Sequence, residues 1–337
     1  MKAVGLYRYL PIDNPESLLD LELEAPTAAG HDLLVEVKAI SVNPVDTKRR
    51  APKDLVEKTP KILGWDAAGV ARDTGPDCKL FKPGDAVYYA GSVIRQGANC
   101  QFHLVDERIV GRKPQSLSFA EAAALPLTAI TAWELLFERL QLVEGHGAGQ
   151  QLLIVGAAGG VGSIMLQLAR QLTEVSVIAT ASRPETQAWA RELGAHHVID
   201  HSQPLHAELQ RAGFASVSHV ASLTQTDQHF DQLVEALTPQ GRLALIDDPA
   251  QPLDVMKLKR KSLSLHWELM FTRSLFETPD MVEQHHLLQR VSQLVDQGVL
   301  RTTLGEHFGT INAANLRRAH ALLESGKAKG KIVLEGF

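Results

Sequence analysis

Cysteine is scarce: Cys78 and Cys100 are the only two in 337 residues. Two thiols cannot build a disulfide framework for a chain of this length, so a reducing compartment is expected. Long hydrophobic runs are missing too. No uninterrupted stretch of about 18 apolar residues occurs, which argues against a membrane span. The N-terminal MKAVGLYRYL has no long apolar stretch and does not read as a signal peptide. A cytoplasmic location is the expectation. Neither charge sign dominates: 34 Lys and Arg face 39 Asp and Glu, for a net charge of −5. A mildly acidic surface attracts neither nucleic acid nor an anionic membrane, so no such partner is expected. The run Lys257, Lys259, Arg260, Lys261 is the best local exception and reads as a solvated loop or helix end. Internal repeats and low-complexity segments are absent. So are a G-x-S-x-G elbow and a Walker A loop, which leaves hydrolase and NTPase readings without a foothold.

What is present is an ordinary globular composition, 45% hydrophobic and 22% charged, in a chain long enough for two domains. The first 125 residues read as short strands broken by Gly and Pro. LLVEVKAISV (33–42), AAGVA (67–71) and DAVYYAG (85–91) are the clearest. Near residue 119 helix formers take over, interrupted at Pro126. Ser118 is a fitting cap, with Glu121 as its capping-box partner. A strand–helix alternation follows. QLLIVGA (151–157) is a short apolar run, as a parallel strand buried on both faces should be. VSVIATA, HHVIDH, VSHVASL, RLALIDD and SLSLHWELM continue the series to six strands. This spacing predicts an α/β fold with a doubly wound parallel sheet. The chain turns helical after Pro279 and closes on KIVLEGF. That lone strand is expected to return to the N-terminal β module, making it discontinuous. The predicted domains are therefore 1–125 with 271–337, and 126–270.

The strongest chemistry is Gly156-Ala157-Ala158-Gly159-Gly160-Val161-Gly162, between a buried strand and a helix start. Backbone N–H groups and the helix dipole can hold a pyrophosphate there. Gly159, Gly160, Val161 and Gly162 are the expected cradle. At the end of the second strand, NAD sites place an Asp or Glu for the ribose 2′-hydroxyl. This chain has Ala181, Ser182 and Arg183, and no carboxylate before Glu185. Ser182 and Arg183 can donate to a 2′-phosphate, so NADPH is the expected cofactor. Ser222, Leu223 and Ile246 lie at strand ends on the ligand-binding edge. His197 and His201 fall on a predicted strand, so they are not a helical ligand pair.

These residues resemble the medium-chain dehydrogenase/reductases, and within them the zinc-independent quinone oxidoreductase branch. The matching stretches are SVNPVDTK (41–48), LGWDAAGV (63–70), FKPGDAVYYAGS (81–92), FAEAAALPLTAITAWE (119–134), GAAGGVGS (156–163) and GKAKGKIVLEGF (326–337). The resemblance implies a GroES-like β-rich catalytic domain, a Rossmann domain, a catalytic cleft between them, and a homodimer joined through its Rossmann sheets. It places Asn43, Trp65 and the Leu125–Leu127 region where zinc-dependent relatives carry ligands. Trp and Leu cannot coordinate zinc, so no metal is expected. The resemblance also implies that Asn43 donates its amide to the substrate oxygen, that Asp46 orients neighbours or the nicotinamide ribose, and that Thr131 sits beside the nicotinamide. Tyr88 and Tyr89 are candidate phenol donors, at most one reaching the cleft; Tyr89 is the one chosen. Lys331 is a candidate contact for a cofactor phosphate. The implied activity is metal-free, NADPH-dependent reduction of a quinone or another conjugated carbonyl. The alternatives are a zinc-dependent alcohol dehydrogenase and a non-catalytic NADPH-binding sensor.

Overall fold

The computed structural model describes residues 1–337. By the density of contacts the chain divides into two compact units, Met1–Ile130 with Phe271–Phe337, and Thr131–Met270.

The first unit opens with two β systems. β1 (Lys2–Tyr9), β2 (Leu19–Glu22) and, beyond β3 (Asp32–Val42), β4 (Lys53–Ile62) form a three-stranded sheet in the order β2-β1-β4. β3 alternates half-buried and buried positions along its first half. That is the two-residue period its sequence announces. β4 was not anticipated. Its residues are mostly exposed and show no alternation, and it is held as an edge strand by pairing with β1. β5 (Ala67–Thr74), β6 (Ala86–Tyr89), β7 (Phe102–Asp106) and β8 (Val110–Arg112) complete the N-terminal strands. α1 (Pro44–Arg50) leaves the end of β3 with Pro44 in its first turn, where a missing N–H is harmless.

α2 (Phe119–Ala123) starts at a reciprocal cap: Ser118 Oγ accepts from the Glu121 N–H, and the Glu121 carboxylate accepts from the Ser118 N–H. α3 (Pro126–Trp133) follows and runs into a π-helical turn over Glu134–Arg139. By length and composition Phe119–Arg139 could cross a membrane, yet 83% of its apolar window is buried inside the protein. It is a core helix, and its hydrophobicity is used in packing.

The second unit alternates strand and α-helix as far as β13. β9 (Gln151–Val155), α4 (Gly160–Leu172), β10 (Ser176–Thr180), α5 (Pro184–Glu192), β11 (His197–Ile199), α6 (Leu205–Arg211), β12 (Val217–Ser222), α7 (Thr226–Ala236), β13 (Leu237–Leu245) and β14 (Ser264–Trp267) build one parallel sheet. Its order is β11-β10-β9-β12-β13-β14. Strand order reverses between β9 and β12, the position at which such sheets bind ligands. Leu153, Val155, Ile178, Val220, Phe230 and Leu243 form part of its core. The basic run lies on a short 3-10 helix, Val255–Lys261, with Lys257, Lys259 and Arg260 exposed. Lys257 pairs with Asp231 at 2.6 Å, and Lys261 Nζ donates to the carbonyls of Val234, Glu235 and Leu237 at the end of α7.

The chain then re-enters the first unit through α8 (Thr272–Phe276), α9 (Glu283–Asp296), β15 (Leu304–His307), α10 (Ala313–Glu324) and β16 (Lys331–Glu335). β16 pairs antiparallel with β3, Ile332 opposite Val42. The finished sheet reads β15-β16-β3-β5-β6-β8, with β7 also on β3. The fold is mixed α/β, a β-rich unit and a six-stranded parallel one.

Candidate functional site

In the second unit, the turn from β9 to α4 is shaped by glycine. Gly156 has φ +81°, a conformation that side chains resist. Its N–H donates to Thr180 Oγ1 at 3.2 Å, tying the turn to the end of β10. Gly159 caps α4 without a side chain, and no acidic residue stands in the first turn. The first N–H groups of the helix therefore have no carboxylate of their own first turn beside them, the condition under which a helix N-terminus favours an anion. Gly159, Gly160 and Val161 are partly exposed there, whereas Gly162 is buried. Ser182 is exposed just beyond β10. Arg183 is the N-cap of α5 and forms an ion pair with Glu185 at 3.2 Å.

The carboxyl edge of β12 and β13 is cross-linked. Thr226 Oγ1 donates to Asp247, so the 2.8 Å contact between Ser222 Oγ and Thr226 Oγ1 has Ser222 as donor. The Thr226 N–H also donates to Asp247 at 2.8 Å. Ser222, expected as a cofactor contact, thus spends its hydroxyl hydrogen inside the sheet edge. Leu223 donates its N–H to the Val155 carbonyl. Leu223 and Ile246 remain partly exposed, and Thr131 is buried on α3.

In the first unit, four polar side chains from distant segments meet in the interior. Asn43, Asp46, Asp66 and Lys331 are each at most 3% exposed. Lys331 Nζ donates to Asp66 Oδ2 at 2.9 Å, to the Val42 carbonyl at 3.0 Å, and to Asn43 Oδ1. An ammonium has three hydrogens, and all are used. Lys331 was expected to touch a cofactor phosphate; the structure gives its charge to Asp66 instead. Asp66 Oδ1 accepts from the Leu127 N–H at 2.8 Å, and Oδ2 also accepts from Asn43 Nδ2 at 2.9 Å. Burial pushes the Asp66 carboxyl up, while Lys331, Asn43 and Leu127 pull it down.

Asp46 Oδ2 accepts the Asn43 N–H at 2.6 Å, and its Oδ1 has no partner. Burial pushes this carboxyl up to about 7; the Asn43 N–H and Lys331 oppose that, and the Asp66 charge adds to it. Asp46 was expected to orient neighbours or the nicotinamide ribose; its carboxylate holds the N–H of its neighbour Asn43 at the start of α1. Asn43 was expected to offer its amide to substrate. One Nδ2 hydrogen is given to Asp66, and beyond it Nδ2 has only long contacts, 3.4 Å to the Ser41 carbonyl and 3.5 Å to that of Trp65.

Tyr88 and Tyr89 do diverge. Tyr88 donates to the Leu288 carbonyl at 2.6 Å. Tyr89 meets His103 Nδ1 at 3.0 Å, and His103 Nε2 lies 3.0 Å from the Gln96 carbonyl. A carbonyl only accepts, so Nε2 carries the imidazole hydrogen and Nδ1 accepts from Tyr89. Burial holds His103 down at about 4, in the neutral form this requires. Tyr89 is therefore no free phenol donor; its hydrogen is committed to a buried imidazole.

Residues 29–132 match the alcohol dehydrogenase GroES-like domain, and residues 193–334 match the zinc-binding dehydrogenase family. A zinc-type alcohol dehydrogenase-like protein of Staphylococcus aureus is 37% identical over 336 residues, covering 99% of both chains. The chain belongs to the medium-chain dehydrogenase/reductase superfamily. A solved Rhizobium etli structure, carrying a zinc-dependent alcohol dehydrogenase label, is similar to this dehydrogenase/reductase with 59% identity and a TM-score of 0.96, covering 100% of this chain and 98% of that one. The 2-methylene-furan-3-one reductase of Solanum lycopersicum is 35% identical over 213 residues, 60% of this chain and 53% of that protein. Members of this superfamily are oxidoreductases that bind a nicotinamide cofactor.

The zinc of the family description does not fit the donors of this dehydrogenase/reductase. Zinc takes four N, S or O ligands in a tetrahedron. No three His, Cys, Asp or Glu side chains converge anywhere in the structure. Trp65 donates its indole N–H to the Ser92 carbonyl at 3.0 Å, and Asp66 already accepts from Lys331, Asn43 and Leu127. Neither cysteine joins a ligand cluster: Cys78 Sγ lies 3.4 Å from the Asp32 carbonyl and Cys100 Sγ 3.2 Å from the Phe102 carbonyl.

Sequence reasoning missed Thr180, Thr226 and the role of Asp66. The signal for Asp66 was there: a carboxylate alone in the apolar stretch LGWDAAGV must find a partner.

Proposed function

We propose that the chain is an NADPH-dependent reductase of a quinone or another conjugated carbonyl such as an enone, working without a metal. One observation carries the cofactor choice. The end of β10, tied to the turn at Gly156 through Thr180, offers Ser182 and Arg183, and no carboxylate before Glu185. A carboxylate would repel a 2′-phosphate; a guanidinium attracts it. The tomato reductase, whose named substrate is a conjugated ketone, supports the acceptor class.

When bound, the reduced nicotinamide supplies hydride. The chain's own residues hold and orient: the α4 N-terminus takes the pyrophosphate, Arg183 and Ser182 the 2′-phosphate, and Thr131 the nicotinamide side. Charge arriving on a conjugated acceptor spreads over several atoms, so hydrogen-bond donors suffice where a simple alcohol or aldehyde would need a Lewis acid. The remaining amide hydrogen of Asn43 is the donor we assign to the substrate oxygen. A cytoplasmic homodimer remains part of the proposal.

The test is a turnover screen with NADPH and NADH against benzoquinones, enones and simple aldehydes. Turnover of conjugated acceptors, faster with NADPH, is the expected result. Saturable NADPH binding with no turnover of any acceptor would make the protein a sensor. Zinc-dependent alcohol oxidation would overturn the proposal.

A further inference from the structure

A lysine ammonium leaves water only at a cost of several kcal/mol unless it is paired and all its hydrogens are used. Lys331, 3% exposed, satisfies both conditions. Three strands bring its partners to it. The pairing of Ile332 with Val42 sets Lys331 beside the end of β3, where Asn43 follows. The pairing of Ala67 with Ile40 brings Asp66 to the same end of the sheet.

The chemistry of these neighbours leaves the Asn43 carboxamide one orientation. An ammonium only donates and a carboxylate only accepts. Oδ1 must face Lys331 and Nδ2 must face Asp66. The flipped amide would set NH2 against NH3⁺ and oxygen against carboxylate, losing both bonds inside a region where unpaired polar groups are costly.

We propose that Lys331, acting with Asp66, is a positioning residue of the reaction: a tethered internal cation that fixes the Asn43 carboxamide in the flip whose second amide hydrogen, held only at 3.4 Å by the Ser41 carbonyl and 3.5 Å by that of Trp65, turns to the substrate oxygen. This rests on the metal-free reading above and deepens it. A covalently attached ammonium does the ordering here, and together with Asn43 it occupies Asp66 Oδ2.

The test uses Lys331→Ala in the full chain. The substitution removes three methylenes and the ammonium, the atoms of n-propylammonium. Turnover of an enone with NADPH should fall about tenfold or more in kcat, with KM much less affected, as for an interaction that matters in the transition state. Added n-propylammonium should raise both the melting temperature and kcat; tetramethylammonium at equal concentration should raise neither. A folded K331A enzyme with the wild-type kcat overturns the inference. So does a propylammonium-dependent rise in melting temperature that leaves kcat where it was.

If K331A does not fold, the neutral pair Lys331→Met with Asp66→Asn keeps the packing and removes both charges together. Its kcat should be reduced, and a wild-type kcat overturns the inference. Wild-type protein that turns over no acceptor would overturn the functional reading. The melting experiment still reads the cation site by itself, and no amine-specific rise there overturns the inference separately.

Discussion

Gly162 packs so tightly on Ala157 that a Cβ built on it would stand 2.5 Å from the Ala157 Cα and carbonyl oxygen. Both neighbours are backbone, so nothing flexible can give way. This contact seats α4 on the end of β9 and directs its first N–H groups. Gly162→Ala should cost about 1–3 kcal/mol of stability, the usual range for overpacking. It should also weaken NADPH binding. Denaturant unfolding and a fluorescence titration with NADPH check the two parts, and unchanged affinity would detach the helix seat from the cofactor.

Arg183 decides between coenzymes in our reading. Its ion pair with Glu185 joins side chains 39% and 58% exposed. Such surface pairs are weak, so the guanidinium can turn to a phosphate at little cost. Arg183→Ala should lower NADPH affinity about tenfold, as loss of a charge-assisted hydrogen bond would, and leave NADH affinity unchanged. Calorimetric titration with each coenzyme gives the ratio. If the ratio does not move, the assignment of Arg183 fails.

His320 is fully buried, with neither ring nitrogen partnered, and burial together with the nearby Arg50 charge lowers it to about 3. The folded state keeps this ring neutral; the unfolded chain protonates it below its ordinary value of 6.5. Its contribution to stability is therefore whole above pH 6.5 and declines as pH falls toward 3. His320→Leu should remove that decline, reducing the pH slope by up to about 1.4 kcal/mol per unit. At pH 7 the variant should be no less stable, since no hydrogen bond is lost. Urea midpoints at neutral and mildly acidic pH measure both effects.

β14 is an edge strand of the parallel sheet, and Trp267 and Leu269 are 51% and 54% exposed at its end. An edge presents unpaired N–H and C=O groups and invites another strand. A homodimer through this edge predicts that Trp267→Asp elutes as a monomer in light-scattering chromatography. A variant with unchanged mass would place the interface elsewhere.

Much of this was legible in the chain because the signals are local. The buried run before Gly156 and the Ser118–Glu121 cap each lie within a few residues, and the six-fold alternation repeats such short runs along the second unit. β4 was hidden because its exposed residues show no two-residue period. The partners of the polar side chains were hidden for another reason. Lys331 and Asp66 stand 265 positions apart, and only the registers of β16 and β5 on β3 bring them together. The same holds for Tyr89: its tie to His103 depends on how separate strands line up, so sequence alone left its hydroxyl looking available.

The return of β16 to β3 also orders events at the ribosome. Thr131–Met270 is one contiguous stretch and can collapse as soon as it emerges. The unit that precedes it must wait, its sheet missing a strand and Asp66 missing its counter-ion, until Lys331 is translated.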